Sequence, residues 1–284
     1  MINLPLVSVG IPTYNRPNGL EKTLNYLLTQ EYKNIEIIIS DNCSTDPNVK
    51  TIIEKYANLD CRIRYFIQTE NIEAEPNFNF VYHHAIGIYF MWMSDDDLFD
   101  SNYISACVQF LEINNDYIHC AGLVSYFKNE KIVLIEKKLS LENNHAFSRL
   151  LKYFFYVQKN GVFYGITRLK TKFENPIGKF VGSDWVHIAR LSLLGKIKVL
   201  GSIKANRDLE GGSSSRKKMT TRWELNKMKT IFFETYTAFQ VAKNIFKSPI
   251  LNKKFNKLYK YFTVYIIFVL LNFKFLIYSI KRRL

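Results

Sequence analysis

The chain has 284 residues, and 48% of them are hydrophobic, so it can bury a sizeable core and extended disorder is excluded. The formal net charge is +14, but it is unevenly distributed. Residues 1–100 hold 7 Lys and Arg against 14 Asp and Glu, a net −7, so residues 101–284 must carry +21. This pattern excludes a uniformly basic protein and predicts a basic tail suited to an anionic membrane or a nucleic acid.

The cysteines predict a reducing compartment. The four cysteines form no CxxC pair, and no histidine stands at zinc-ligand spacing from them: Cys43, Cys61, Cys107 and Cys120. The first residues, "MINLPLVSVGIP", contain no charged region before an apolar run, so we expect no signal peptide. Both features favour a cytoplasmic location.

The first 112 residues alternate four times between strand and helix patterns. Short apolar runs predict four strands, at 6–11, 35–40, 62–67 and 88–94. An apolar stripe at helical spacing follows each run, and the expected helix starts or caps are Asn18, Asp46, Pro76 and Ser101. This alternation predicts an α/β fold whose mostly parallel sheet is flanked by helices. No GxGxxG follows the first strand, so a dinucleotide fingerprint is absent.

The second half is less regular. Strand patterns occur at 121–127, 131–135 and 162–168, and 184–196 predicts a helix that ends near Gly195. A polar, glycine- and serine-rich loop follows at 209–218, and the chain has a helical pattern from Thr221 to its end.

The segment "WMSDDDLFD" (92–100) places three carboxylates side by side directly after a buried strand: Asp95, Asp96 and Asp97. In parallel sheets, ligands bind beyond the carboxyl ends of the strands. Mg²⁺ or Mn²⁺ takes oxygen ligands and would cancel the repulsion among these groups, with phosphate oxygens completing the shell. The alternative is a solvated loop in which Asp100 or a neighbour caps the next helix.

Four segments in register resemble the family 2 glycosyltransferases, which have the GT-A fold and invert the sugar configuration. They are "VSVGIPTYNR" (7–16), "IEIIISDNCSTD" (35–46), "NIEAEPNFNFVYHHAIGIYFMWMSDDDLF" (71–99) and "GSDW" (182–185). The resemblance implies a catalytic domain over residues 1–220, with a nucleotide-binding half at about 1–112 and an acceptor half at about 113–220. Residues 221–284 would then be a helical tail outside the resemblance.

The resemblance also implies donor-binding positions in the first half. The nucleotide pocket would be lined by Pro12, Thr13, Tyr14 and Arg16. Asp41 would bind the base of the nucleotide, although a plain turn residue is the alternative in "SDNCSTD". Asp95 and Asp97 would hold the metal, with Asp97 as the direct ligand, and Asp96 would face the ribose or sugar. Asn71 and Asn79 match less sharply defined donor-side positions.

Two further residues are implied in the second half. Asp184 matches the carboxylate that removes a proton from the acceptor hydroxyl, and the alternative is a simple N-cap of the following helix. Many relatives have Glu-Asp there, whereas this chain has Ser183-Asp184. Arg207 could meet a phosphate in the segment 206–215, which lacks the histidine that many relatives carry.

The tail combines basic and apolar residues. Residues 251–262 place Leu251, Phe255, Leu258 and Phe262 on one helical face, and an apolar run follows at 261–280. That run is long enough to span a bilayer, but Lys274 would cost about 2.5–3.5 kcal/mol near its centre. A helix on the membrane surface fits better, and packing on the catalytic domain or on a second copy is the alternative.

These observations predict a metal-dependent, inverting glycosyltransferase using Mg²⁺ or Mn²⁺. A UDP- or dTDP-sugar would be the donor, and a glycan or lipid-linked acceptor in surface polysaccharide synthesis would receive the sugar. We expect a cytoplasmic enzyme, peripheral on the inner face of the cell membrane, that does not act on nucleic acid. The alternatives are a sugar-nucleotide nucleotidyltransferase and a non-enzymatic protein that binds membranes or nucleic acid through its basic tail.

Overall fold

The computed structural model describes residues 4–95, 97–128, 131–169, 173–208, 220–221 and 225–281. Within them lies a nine-stranded sheet whose first half is parallel, in the order β3-β2-β1-β4. These strands are β1 (Val7–Thr13), β2 (Ile35–Asp41), β3 (Ile63–Ile67) and β4 (Tyr89–Trp92). All seven residues of β1 and of β2 are buried, as expected for central strands covered on both faces.

The second half of the sheet is mixed. It continues as β4-β8-β6-β9-β5, with β7 paired to β6 at the side. The strands are β5 (Leu98–Phe99), β6 (Tyr117–Lys128), β7 (Lys131–Ile135), β8 (Ile166–Arg168) and β9 (Lys196–Asp208). β6 pairs with β9 in parallel and with β7 and β8 in antiparallel fashion. The predicted α/β class with a helix-flanked sheet is confirmed, and the antiparallel pairs belong to the half where the sequence pattern was irregular.

Helices cover both faces. One face carries α1 (Pro17–Thr29), α2 (Pro47–Leu59) and α4 (Tyr103–Ile113), whose buried residues join one core cluster. The other face carries α3 (Ala74–His83), α5 (Ala146–Tyr156) and α6 (Ser183–Leu194) around a second cluster.

The predicted helix starts differ from the observed ones in three of four cases. Asp46 caps α2 as predicted, because its carboxylate accepts from the Asn48 amide. α1 begins at Pro17, one residue before Asn18, and α3 begins two residues before Pro76. Proline lacks the N–H that a first turn leaves unpaired, so it is tolerated inside that turn. Ser101 caps nothing, because its hydroxyl donates to Glu31.

The described part of the tail has four named helices, of which the last three contribute buried residues to the second core. They are α7 (Lys227–Ile231), α8 (Phe233–Phe246), α9 (Pro249–Lys254) and α10 (Lys257–Lys281). The expected single helical face over 251–262 is wrong, because the backbone turns extended at Phe255 between α9 and α10. Leu251 is therefore buried, whereas Leu258 and Phe262 are exposed.

α10 packs along the domain through one side. Thr263, Ile267 and Leu271, spaced four residues apart, are fully buried. Lys274 lies on the same side, with its Nζ 5.5 Å from the Trp185 ring, and burial lowers its pKa to about 8. Among the described residues, the segment Lys257–Ile277 is the one helix long and apolar enough to cross a membrane, with a mean hydropathy of 1.7.

A buried carboxylate joins three elements at the amino ends of the parallel strands. Glu36 of β2 accepts from the Ser8 hydroxyl at 2.5 Å and from the Ile86 amide at 2.8 Å. Its other oxygen accepts from Arg64 at 2.7 Å. One side chain therefore ties β1, β3 and the loop before β4 to β2.

Glu36→Ala should lower the free energy of unfolding by about 2–3 kcal/mol, because it leaves buried donors without an acceptor. Urea denaturation followed by circular dichroism measures the change. Glu54→Ala is the matched control, since Glu54 forms only an exposed ion pair with Lys50 at 3.7 Å and should cost no more than about 0.5 kcal/mol. Equal losses in the two variants would contradict a special role for Glu36.

Candidate active site

The carboxyl ends of the parallel strands meet at one edge, as the sequence predicted. β1 ends at Thr13 and β2 ends at Asp41, and these two residues are partners in the sheet register. The Thr13 hydroxyl donates to Asp95 Oδ2 at 2.9 Å, which connects the end of β1 to the segment after β4. The three motifs, far apart in sequence, therefore form one site.

Asp95 is held by two donors. Arg16, which precedes α1, donates to its Oδ1 at 2.8 Å, while Thr13 occupies Oδ2. Asp95 is 5% exposed, so Arg16 supplies the charge compensation that burial of a carboxylate requires. The backbone also approaches closely, because a Cβ on Gly19 would lie 2.2 Å from the Asp95 carbonyl oxygen. Only glycine fits at that position of α1.

Asp97 is fully buried and pairs with Arg207, whose Nε donates to Asp97 Oδ2 at 2.9 Å. Arg207 lies at the end of β9, with its guanidinium 4.0 Å from the centre of the Tyr164 ring. Asp97 and Arg207 thus join the edge formed by β4 to the second half of the sheet. Asp96, which was expected to face the ribose or sugar, and the predicted polar loop 209–218 lie outside the described residues.

The donor set fits a cation held mainly by Asp97. Both oxygens of Asp95 already accept hydrogen bonds, so Asp95 is better suited to positioning Arg16 and Thr13. An ionised carboxylate offers about four lone-pair sites, so the bond from Arg207 leaves Asp97 capacity for a metal. Among the described residues no group of three His, Cys, Asp or Glu side chains converges, so diphosphate oxygens would have to complete the shell.

The other residues predicted to bind the nucleotide-sugar donor lie at the same edge or on helix α3 beside it, and their contacts differ. The Asp41 carboxylate accepts from the amide and hydroxyl of Ser44, a turn-type contact that leaves its second oxygen for another partner. Asn71 accepts from Asn42, and Asn79 forms two hydrogen bonds with the Ile177 backbone. Pro12 is buried in β1 and Tyr14 is 41% exposed at the edge. Their donor-binding roles stay predictions.

Asp184 lies in the first turn of α6. The N-cap of this helix is Gly182, with φ of 85°, so the alternative of Asp184 as a simple N-cap is wrong. Asn160 Nδ2 donates to Asp184 Oδ2 at 2.8 Å. Burial raises the pKa of Asp184 above its ordinary value. The hydrogen bond from Asn160 opposes the rise most, followed by the backbone amides of Trp185 and Asp184, and the charge of Arg207 contributes least.

Sequence reasoning missed the residues around Asp184. Asn160 donates to Asp184, the Tyr153 hydroxyl donates to Asn160, and Glu136 accepts from the amide of Gly161, the residue after Asn160. The one local signal was the pair Asn160-Gly161, which is typical of a turn. Nothing in the sequence indicates that this turn faces a residue 24 positions later.

The site and fold together define an α/β protein with buried carboxylates at the carboxyl ends of its parallel strands. The sequence model of the family Glycosyl transferase family 2 matches residues 8–169, more than half of the chain. The chain therefore belongs to Glycosyl transferase family 2, which confirms the resemblance noted in the sequence.

Curated relatives agree in class. The GalNAc(5)-diNAcBac-PP-undecaprenol beta-1,3-glucosyltransferase of Campylobacter jejuni subsp. jejuni serotype O:2 is 30% identical over 192 residues, which are 65% of this chain and 60% of that protein. The glycosyltransferase TuaG of Bacillus subtilis (strain 168), named for teichuronic acid biosynthesis, is 33% identical over 107 residues, 38% of this chain and 42% of that protein. The chain thus spans less than two thirds of either relative.

Solved structures share the fold. TarS 1–349 of S. aureus in complex with UDP-GlcNAc has a TM-score of 0.63 at 16% identity and covers 91% of this chain and 70% of that one. GalNAc-T7 with UDP, GalNAc and Mn²⁺ has a TM-score of 0.59 at 13% identity and covers 84% and 52% of the two chains. Similarity at this identity establishes the architecture of the chain.

The raised pKa of Asp184 should appear in the pH dependence of stability. A carboxyl whose pKa is higher in the folded state stabilises fully below its unfolded pKa, and this contribution is lost as pH rises through the folded pKa. The melting temperature of the wild type, relative to Asp184→Asn, should therefore fall as pH rises from the ordinary aspartate pKa of about 3.9 towards neutrality.

Asp116→Asn is a control with the opposite sign. The hydrogen bond from Lys196 lowers the pKa of Asp116, so its stabilising contribution is present at high pH and lost as pH falls. Because Asp116 is largely exposed, we expect only a small effect in that direction. A difference between wild type and Asp184→Asn that stays constant with pH would contradict the raised pKa.

Proposed function

We propose that the protein transfers a sugar from a UDP- or dTDP-sugar to a hydroxyl of a glycan or lipid-linked acceptor, with inversion at the anomeric carbon and with help from Mg²⁺ or Mn²⁺. The observation that carries this proposal is the cluster of buried carboxylates at the carboxyl ends of β1, β2 and β4, where Asp95 pairs with Arg16 and Asp97 pairs with Arg207. Membership of the family supports the reaction class.

The donor would bind at the edge formed by β1, β2 and the segment after β4. Asp41 has one oxygen available for the imide N–H of uracil or thymine, while Ser44 holds the other. Arg16 and Arg207 flank the place where the diphosphate would lie, and guanidinium groups bind phosphate oxygens in a bidentate manner. The carboxylates that now hold these arginines also fix their positions.

In the transfer step, Asp184 accepts the proton of the acceptor hydroxyl. The hydroxyl oxygen bonds to the anomeric carbon while the bond from that carbon to the diphosphate oxygen breaks, and the nucleoside diphosphate leaves with the bonding electrons. A positioned base contributes roughly 10²–10⁴-fold to such a step. A single displacement from the face opposite the leaving group inverts the sugar configuration.

A bound cation would be held by Asp97 and diphosphate oxygens, and it would stabilise the negative charge that develops on the leaving group. The chain's own residues supply the remaining positive charge, through Arg16 and Arg207.

A nucleotidyltransferase fits the first loop less well. Such an enzyme needs a glycine-rich loop that offers backbone amides to phosphates after the first strand. Here the Asn15 side chain accepts from the amides of Thr45 and Asp46, which ties the loop to the start of α2. This contact stabilises a nucleoside pocket between β1 and β2.

Asp97→Ala should abolish metal-dependent binding of UDP and dTDP. Isothermal calorimetry is run with Mn²⁺ and with chelator on the wild type, on Asp97→Ala and on Asp116→Ala, an exposed carboxylate paired with Lys196. We expect binding with Mn²⁺ for the wild type and the control, and a loss of at least about tenfold in the Asp97 variant or with chelator. If UDP and dTDP bind equally well with chelator and to Asp97→Ala, the metal assignment is refuted.

We also propose that the outward side of α10 binds an anionic membrane. Seven large apolar side chains on that side are at least 45% exposed, although the opposite side is buried: Leu258, Tyr261, Phe262, Tyr265, Val269, Phe273 and Leu276. We call these seven residues the outer face of α10. An exposed apolar patch of this kind marks a surface that binds a membrane or another protein.

Charge favours lipid as the occupant of the outer face of α10. From residue 243 to 284 the sequence has ten Lys and Arg and no acidic residue. Basic residues beside an apolar helix face attract anionic headgroups while aromatic rings enter the interface. Because the inner side of α10 is fixed to the domain and Lys274 points inward, the helix lies along the membrane and does not need to cross it.

Replacing Phe262, Tyr265 and Phe273 together by Gln should weaken binding to vesicles of phosphatidylcholine with phosphatidylglycerol by at least about tenfold. The loss reflects apolar area that no longer enters the bilayer, and cosedimentation measures it. The control replaces Leu59 and Ile113 by Gln, because these residues are 69% and 80% exposed on other helices. Point changes are preferable to deleting residues 250–284, because deletion would uncover the second core.

Unchanged sedimentation of the triple variant would contradict the membrane proposal. A wild-type dimer in light scattering that the triple variant abolishes, without vesicle binding by either protein, would assign the outer face of α10 to a second copy.

A further inference from the structure

We infer that Asn160 is a positioning residue for Asp184, and that Tyr153 and Glu136 hold Asn160 in place for this task. The inference rests on the proposed role of Asp184 as the base. It adds to that base three residues that orient it, all of which lie outside the segment 182–185.

Asn160 has a fixed and buried place beside Asp184. It is 2% exposed, and its Nδ2 donates to Asp184 Oδ2 at 2.8 Å. Its φ of 59° lies in the left-handed region, which asparagine and glycine tolerate better than other residues. The backbone conformation and the hydrogen bond therefore restrict this position to few residue types.

Tyr153 of α5 fixes the orientation of the Asn160 amide. The Tyr153 hydroxyl donates to Asn160 Oδ1 at 2.7 Å. Burial raises the pKa of Tyr153 well above its usual value, so the hydroxyl keeps its proton and remains a donor. Because Oδ1 is engaged by Tyr153, the amide presents its N–H to the carboxylate. The reverse orientation would place two oxygens against each other.

Glu136, directly after β7, clamps the backbone on both sides of Asn160. Its two carboxylate oxygens accept from the amides of Lys159 at 2.7 Å and Gly161 at 2.8 Å. The Tyr126 hydroxyl also donates to Glu136 at 3.2 Å. The turn therefore cannot rotate without breaking charge-assisted hydrogen bonds, which are stronger than neutral ones.

The arrangement orients Asp184 and limits the rise of its pKa. Burial opposes ionisation, whereas the hydrogen bond from Asn160 favours it most, followed by the backbone amides of Trp185 and Asp184 and then by the charge of Arg207. The charged or titratable groups around the site are Tyr153 from α5, Glu136 after β7, Arg207 from β9 and Lys274 from α10, the last two cationic. Of these neighbours, Asn160 donates the described side-chain hydrogen bond to the carboxylate.

The test follows the ionisation of Asp184 directly. The side-chain carboxyl of Asp is labelled with ¹³C, the Asp184 signal is assigned by its absence in Asp184→Asn, and it is titrated by NMR in the intact protein. Asn160→Gly keeps the left-handed backbone and removes the donor, and should raise the Asp184 midpoint by about one pH unit. Asn160→Asp keeps the shape and adds a like charge, so the pair should titrate in two steps with one further raised.

Two tyrosine variants serve as a matched pair. Tyr153→Phe removes the donor to Asn160 Oδ1, and should raise the midpoint by less than Asn160→Gly does. Tyr156→Phe makes the same chemical change three residues along α5, at a side chain that is 56% exposed, and should leave the midpoint unchanged.

Release of UDP from UDP-glucose or UDP-GlcNAc, whichever the wild type turns over, gives the second measurement. The acidic limb of its pH profile should move with the NMR midpoint, while UDP affinity by calorimetry stays the same. If Asp184→Asn keeps wild-type turnover, the proposed base is wrong. If Asp184→Asn is inactive but both Asn160 variants titrate and react like the wild type, the base stands and the role of Asn160 is overturned.

Discussion

Burying several carboxylates at one edge of a sheet is the constraint on which this structure depends. An ionised carboxylate removed from water costs several kcal/mol unless it is paired and hydrogen-bonded. Asp95 and Asp97 meet this requirement through separate arginines, Arg16 from the start of the chain and Arg207 from β9. Each of these two carboxylates is thus balanced by one arginine. The two ion pairs bring Arg16 and Arg207, which are nearly 200 residues apart in sequence, to the same edge of the sheet.

That balance suits a diphosphate ligand. A diphosphate brings negative charge to an edge where Asp95 and Asp97 are each paired with one arginine and the Asp41 carboxylate accepts only from Ser44 among the described contacts, so additional positive charge is needed for binding. In the proposed function, a divalent ion on Asp97 would supply it, and Arg16 and Arg207 would contact phosphate oxygens from positions close to their present ones. Neutralising Arg207 would remove the described cationic partner of Asp97 and one of the smaller influences on the pKa of Asp184.

The parallel half of the fold could be predicted because its signals are local. Apolar runs set the strands, Asp46-Pro47 set a helix start, and the edge of a parallel sheet brings Thr13, Asp41 and Asp95 together. The rest depends on tertiary contacts. Ser101 does not cap α4, because its hydroxyl donates to Glu31. The extended backbone at Phe255 separates α9 from α10, and Leu251 is buried in the second core. Asn160 could not be recognised, because its function depends on a partner that only folding brings near.

The second core links the proposed membrane surface to the proposed base. Asp184 lies in the first turn of α6, and the next residue, Trp185, stacks on Phe275 of α10 with the ring centres 6.1 Å apart. Lys274, which sequence reasoning treated as a cost inside a bilayer, lies against the same tryptophan. A helix that rests on lipid through its outer face therefore contacts the first turn of the helix that carries the base. An acceptor anchored in that lipid would reach the site from the side of α10, so the tail would set both the height and the orientation at which the acceptor hydroxyl meets Asp184.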